Sequence, residues 1–374
     1  MLQNKIYQNF LKEILKIFFA ILFGLSLIAL TVRAVSFLDL IVDNGYPVSI
    51  YFKYSFLNFF GIAPKFIPFS FLLALTIFTI KRSQDSEFII LWTSGVKKIY
   101  LVNLFFLSSL FILIIYLTLS TFITPLALNK SRSILNNDQL NSLLPAIKSQ
   151  NFTDAFKGMT FIVNEKKQNE VRDVFIHDKG ENLKNLSSNT KDTSNVTIIA
   201  KKGLIDKKNF YLVNGQIITT KNSDNKVEVI KFKQLNIDLK NLSTTTIKKP
   251  KIQETKTIKM LNCFVFNRLD KFCNENAKKE MISALNRRMI LPFYIPVISL
   301  IVSLLLLNSK KKYLSKTSIF IYSFLLLIIV EMSVRYTGLD SLIRKLFLAT
   351  PFILTILIYS LLFIKFKNLQ IKNE

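Results

Sequence analysis

KRSQDSEFIILWTSGVKK, Lys81 to Lys98, lies between two apolar runs of membrane-spanning length, Phe56 to Ile80 and Ile99 to Ile123. It carries the signals of a short helix of its own. Asp85 or Ser83 suits a helix start, Glu87 falls in the first turn where a negative charge meets the positive end of the dipole, and Gly95 is placed to end it. Phe88, Leu91 and Trp92 then share one face, with Ile89 at its margin. About ten residues at ~1.5 Å each reach roughly 15 Å, half of a ~30 Å hydrocarbon layer. The stretch is therefore a surface element between two spans, and its apolar face needs a partner.

Outward from it, further apolar runs extend from about Ile14 to Ala34, Met289 to Leu307, Ser318 to Val334 and Leu346 to Ile364, so six spans are expected. The first is too long, and lacks the small-residue cleavage site, to be a removable signal peptide, and is expected to stay as a helix. The chain of 374 residues is 50% hydrophobic with 34 Phe, yet carries 50 Lys+Arg against 24 Asp+Glu. That segregation describes a polytopic membrane protein with a soluble insert. The net charge of +26 is concentrated at the ends of apolar runs and scattered over a Lys- and Asn-rich region; no basic stripe interleaved with aromatics marks a nucleic-acid surface. Lys5, Lys12, Lys16, Lys81, Arg82, Lys97, Lys98, Lys310, Lys311, Lys312, Lys316, Lys365, Lys367 and Lys372 all fall on one side. Lys53, Arg335, Arg344 and Lys345 fall on the other, which places both termini and the short helix in the cytoplasm.

Between the third and fourth spans, roughly Leu126 to Ser283, the pattern changes to short segments of strand type: MTFIVNE, VRDVFIHD, VTIIAKKG, FYLVNGQIITT and VEVIKFKQLNIDL. They are rich in Val, Ile, Phe and Thr and accompanied by the turn signals DKG, VNG and NSDN. An all-β sandwich or open barrel with a helical lead-in around Ser131 to Leu144 is expected on the non-cytoplasmic side. The division is residues 1–125, three spans with the short helix at about 84–95; 126–283, the β-domain; and 284–374, three spans and a tail.

Catalytic material is scarce. No Walker A loop, GxSxG or HExxH occurs, so energy for transport must come from another chain. One histidine, His177, and two cysteines, Cys263 and Cys273, assemble neither a metal site nor a Cys/His nucleophile; a disulfide between the cysteines and free thiols are both open. No cofactor is implied. Inside the spans, Glu331 with Arg335 one turn later is expected to form a local ion pair. Arg33, near the outer end of span one, either snorkels to the interface or pairs with an anionic ligand, for which guanidinium suits phosphate. Lys65, between Pro64 and Pro68, has the same two readings. Pro68, Pro292 and Pro296 mark kinks or helix starts at membrane depth.

With these elements in order, the chain resembles the lipopolysaccharide export permease family, the LptF/LptG type. The likeness covers nearly the full length in architecture. In sequence it rests on FLKEILK before span one, Arg33 at its far end, PFSFLLALTIF, DSEFIILWTSGV, VRDVFIHDKG and ALNRRMILP; FLKEILK, VFIHD and ALNRR are closer to the LptF branch. The resemblance implies an ABC transporter permease of the bacterial inner membrane: six transmembrane helices with an inserted periplasmic β-jellyroll. The partners it implies are a paralogous permease (LptG), a cytoplasmic ATPase dimer (LptB), a single-span accessory protein (LptC) and a periplasmic bridge (LptA). Lys81 to Lys98 then looks like a coupling helix in which Asp85 and Gly95 bound the element, Glu87 matches the family's functional acidic position and meets a basic residue of the ATPase, and Phe88, Leu91 and Trp92 fill its groove. Arg33 falls where the family contacts lipid phosphates; Lys65 matches no position of the pattern.

Other classes of function are a membrane-anchored periplasmic binding or signalling module, a mechanotransmission permease and a lipid-modifying enzyme. Six spans exceed what an anchor needs. A force transmitter would be indifferent to the charge of Arg33, and an enzyme would need more catalytic side chains.

Overall fold

The computed structural model describes residues 2–42, 46–146, 149–156, 158–167, 169–179, 183, 193–206, 209–221, 227–238, 251–266, 275–307 and 315–371. In chain order the helices are α1 (Leu2–Ser36), α2 (Asp39–Val42), α3 (Val48–Gln84), α4 (Glu87–Thr93), α5 (Lys98–Thr118) and α6 (Thr124–Ala146). After the strands come α7 (Thr257–Phe266), α8 (Glu275–Met289), α9 (Tyr294–Ser303), α10 (Lys316–Tyr336) and α11 (Ser341–Ile371). The chain forms two compact units, one of Met1–Thr31, Leu57–Asn129 and Pro250–Glu374, the other of Val32–Phe56 and Lys130–Lys249. Six helical stretches are long and apolar enough to cross a membrane, as expected. Lys310, Lys311, Lys312 and Lys372 lie outside the described residues.

In the first unit the core is built from α1, α3, α5 and α9. Phe18, Phe71, Phe78 and Phe105 are fully buried, as are Ile295 and Ile298 of α9, whereas α10 and α11 leave most of their apolar surface open. Prolines organise this bundle. A proline lacks the N–H that would bond the carbonyl four residues earlier, and in hydrocarbon that orphan carbonyl has no water to turn to. Pro64 orphans Phe60 O, which accepts instead from Thr124 Oγ1 at 2.7 Å. Pro125, next to a π-helical turn at Leu119–Ile123, leaves Thr121 O, filled by Thr257 Oγ1 at 2.7 Å. Pro292 leaves Arg288 O, filled by Ser120 Oγ at 2.9 Å. Pro351 leaves Phe347 O, filled by Tyr294 OH at 3.2 Å. Each kink thus becomes a hydroxyl bridge between different helices.

The second unit carries a six-stranded antiparallel sheet in sequential order: β1 (Thr153–Phe156), β2 (Met159–Lys167), β3 (Glu170–Asp178), β4 (Thr193–Ile205), β5 (Asn209–Lys221) and β6 (Val227–Asp238). All five segments read as strands are strands; β1 lacked a signal. Alternation buries Phe161, Val163, Val174, Ile176, Ile198 and Leu212 on one face. Phe161 of β2 and Phe210 of β5 stack at 6.4 Å between ring centroids. Three strand spacings measure roughly 14 Å along a flat sheet, so the sheet curls until its inner face meets itself. It is an open curled meander and forms the all-β domain expected between the third and fourth spans. VNG does not turn the chain: Asn214 takes φ 56° within β5 and keeps the strand running. Gly215 is required there, because a Cβ would strike Ile199 O and the Phe232 ring. DKG ends in, and NSDN falls in, positions outside the described residues. The helical lead-in is α6, continuous with the third span.

Thr124→Val leaves Phe60 O unsatisfied and should cost about 1–3 kcal/mol. It should lower the thermal transition of the purified protein in detergent, whereas Thr118→Val, whose exposed hydroxyl bonds only Ile115 O of its own helix, should not.

Candidate functional site

Among the described residues, the short helix α4 and a cavity among α3, α5, α8 and α10 combine charge with apolar surface.

α3 runs through Lys81 to Gln84, so Ser83 lies in its last turn and Asp85 in the turn that follows, donating its N–H to Lys81 O at 3.0 Å. Neither caps α4. That position belongs to Ser86, at φ 58° with no side-chain cap bond, and Glu87 opens the helix. The C-terminus follows the sequence reading. Gly95 takes φ 86°, Val96 N–H reaches Leu91 O at 3.0 Å and Gly95 N–H reaches Trp92 O at 3.2 Å, the paired bonds of a Schellman close.

The face predicted from periodicity exists, and its occupant is this chain's own bundle. Phe88 is 2% exposed, edge-on to Phe78 at 6.4 Å and stacked on Trp92 at 6.1 Å. Leu91 and Trp92 pack on the same core, and Lys98 Nζ sits 4.1 Å above the Trp92 ring. The apolar residues α4 turns outward are Ile89 and Ile90, 50% and 63% exposed. Glu87 accepts from Arg82, whose guanidinium also bonds Glu13.

The cavity region comprises two neighbouring pockets. One, about 290 Å³, is lined by Lys65, Tyr116, Glu280, Arg287, Arg288 and Arg335 among others. The second, about 550 Å³, shares Lys65 and Arg335 and continues along Phe69, Ile295, Phe324, Leu327 and Ile328. Both are amphipathic: each sets cations beside apolar walls, and the second also carries Glu331. Glu331 does not pair with Arg335; it accepts from Arg287 of α8, a tie between helices instead of one within a helix. Arg335 is left without an ion pair among the described residues. Arg288 is buried and donates to Thr255 O at 2.9 Å, Gln253 O at 2.9 Å, Ile252 O at 3.2 Å and Thr257 Oγ1 at 3.1 Å. The segment returning from the strands is thereby wrapped around one guanidinium.

Arg33 lies in the other unit, exposed and without an ion pair among the described residues. Lys65 is on the cavity; Arg287, Arg288 and Arg335 join it, and sequence reading had not assigned them to a site. The signal was in ALNRRMILP, where adjacent arginines open an apolar run. Cys263 is disulfide-bonded, and Cys273 lies outside the described residues. No cluster of His, Cys, Asp and Glu that would hold a metal occurs among the described residues.

A family model described as lipopolysaccharide export system permease LptF/LptG matches residues 9–366. No curated protein matches the chain.

At φ 86° a β-branched side chain is strained, so Gly95→Val should cost about 1–2 kcal/mol and loosen α4, while Gly95→Asn is tolerated. Limited trypsin digestion of the purified chain checks this: cleavage at Lys97 and Lys98 should speed up in the Val variant alone.

Proposed function

The chain belongs to the LptF/LptG family of lipopolysaccharide export permeases, multi-pass proteins of the inner membrane, and from that premise we propose that it is one half of a permease pair driven by a separate ATPase. The pair is a heterodimer with the paralogous subunit, LptG if this chain is of the LptF branch. α4 faces the cytoplasm and docks on the ATPase LptB. LptC attaches alongside, and lipid passes to the periplasmic bridge LptA.

The amphipathic cavity carries the reading. A lipid with phosphates on its head and several acyl chains needs cations at one end of its site and hydrocarbon at the other, which is what Lys65 and Arg335 beside Phe69, Phe324 and Leu327 supply. Arg33 is the other proposed phosphate contact. The lipid arrives from the outer leaflet, and ATP-driven closure of the ATPase, relayed through α4, collapses the cavity and moves the lipid toward the curled sheet. There the face of Phe161, Val163, Val196 and Ile198, closed in this structure, parts to take acyl chains.

On α4, Glu87 sets geometry and the apolar contacts carry more of the docking energy, since an exposed ion pair is worth under ~1 kcal/mol. Because Phe88, Leu91 and Trp92 pack inward, they support the docking surface from behind, and Ile89 and Ile90 touch the ATPase.

Co-purification of the tagged chain, co-expressed with its genomic complement, tests the pair. A P-loop ATPase and a second six-span protein should accompany the wild type, and Glu87→Arg, Trp92→Ala and Ile90→Asp should each lose the ATPase. A wild-type chain that purifies alone overturns the reading.

Photocrosslinking to lipopolysaccharide in nanodiscs tests the two proposed phosphate contacts separately. Arg335→Ala and Arg33→Ala should each reduce it by about tenfold, the loss of one charge-assisted phosphate contact.

A further inference from the structure

The guanidinium of Arg82, at the end of α3, bonds Glu13 of α1 on one side and Glu87 of α4 on the other. The side chains are 16%, 21% and 35% exposed, so the group is only partly reached by water. The rings of Phe10 and Phe78 flank it at 5.3 and 5.8 Å from the guanidinium carbon. Lys81 adds a longer contact to Glu13 at 3.8 Å. Residues 69 positions apart, on three elements, thus converge on one planar cation. A guanidinium presents its donors in a fork that meets two carboxylates at once; an ammonium of the same reach cannot hold both in fixed geometry.

α4 needs such a restraint. At seven residues it is far below the length at which a helix holds itself in water. Its first residue follows Ser86 in the left-handed region with no side-chain cap, an arrangement that costs free energy unless something else supplies the difference. Phe88, the second residue of α4, anchors it by burial, which fixes depth but is non-directional. The Arg82 bonds fix the N-terminal end in direction.

We propose that Arg82 is a positioning residue that clamps α4 to α1 as well as to α3, so that a displacement of α4 is delivered to the first and second spans together. The clamp also keeps Glu87 turned toward Arg82 and Ile89 and Ile90 turned outward. Its coupling role rests on the reading of α4 as the ATPase contact; the clamp itself is a property of this chain alone.

Hydrogen exchange read by mass spectrometry on the full chain in nanodiscs, without any ATPase, separates the two. The decisive variant is Glu13→Gln, which alters α1 and leaves both α3 and α4 untouched. It should speed exchange of the amides of Glu87–Thr93 by about tenfold, the loss expected for one charge-assisted hydrogen bond, with Leu101–Tyr116 unchanged. Arg82→Gln should do so by more, and Arg82→Lys should recover only part. Wild-type exchange in α4 of Glu13→Gln overturns the clamp, whether or not Arg82→Gln folds. In the reconstituted transporter, Glu13→Gln should then raise ATP consumed per lipid released by several-fold, with hydrolysis itself near wild type. Faster exchange with an unchanged ratio overturns the coupling role and leaves the docking of α4 standing. A chain that stimulates no ATPase at all refutes the docking instead, and the exchange result still decides the clamp.

Discussion

Hydrocarbon offers a peptide group no hydrogen-bond partner, and the bundle is arranged around that fact. Where the chain is regularly helical the requirement is met within each span. At four prolines the freed carbonyl is met from a different helical segment by a hydroxyl: Thr124 for Phe60, Thr257 for Thr121, Ser120 for Arg288, Tyr294 for Phe347. Breaks in helices thereby become ties between them. Arg288 extends the same logic, because the hydroxyl that serves Thr121 O is itself held by the Arg288 guanidinium, which also gathers the carbonyls of Ile252, Gln253 and Thr255.

The short helix shows how burial reassigns a face. Phe88, Leu91 and Trp92 have the spacing of a docking surface but pack inward, because the nearest apolar area is the chain's own bundle. What is left for a partner is narrower: Ile89, Ile90 and a carboxylate already engaged by Arg82. On the proposed docking, a partner's basic residue would compete with, or add to, the Arg82 guanidinium at Glu87. Docking and internal geometry are linked through one side chain.

The β-domain and the cavity each gather apolar surface, the cavity with charge beside it. The cavity places cations beside aromatic and aliphatic walls, and the sheet gathers Phe161, Ile198, Phe210 and Leu212 on one concave face. Several strands looked apolar on both sides in sequence. The curl explains half of that pattern, since the inner face closes on itself, while Ile199, Leu204 and Val229 stay on the outside, exposed.

Much was legible without coordinates because it depends on local chemistry: the six spans, five of the strands, the stop at Gly95 and the position of the short helix all follow from run length, alternation and one glycine. The family likeness was legible for the same reason, through short motifs at fixed places. What sequence could not decide were the pairings. Glu331 has Arg335 one turn away, yet its partner is Arg287, because helix packing brings α8 closer than the helix's own next turn. Glu87 faces Arg82, and through it Glu13, for the same reason. A motif such as VNG, whose meaning depends on whether the flanking residues already have ladder partners, continues a strand where it would otherwise turn. Periodicity records which side of an element is apolar; only tertiary packing, which sets distances between residues far apart in the chain, decides what that side meets.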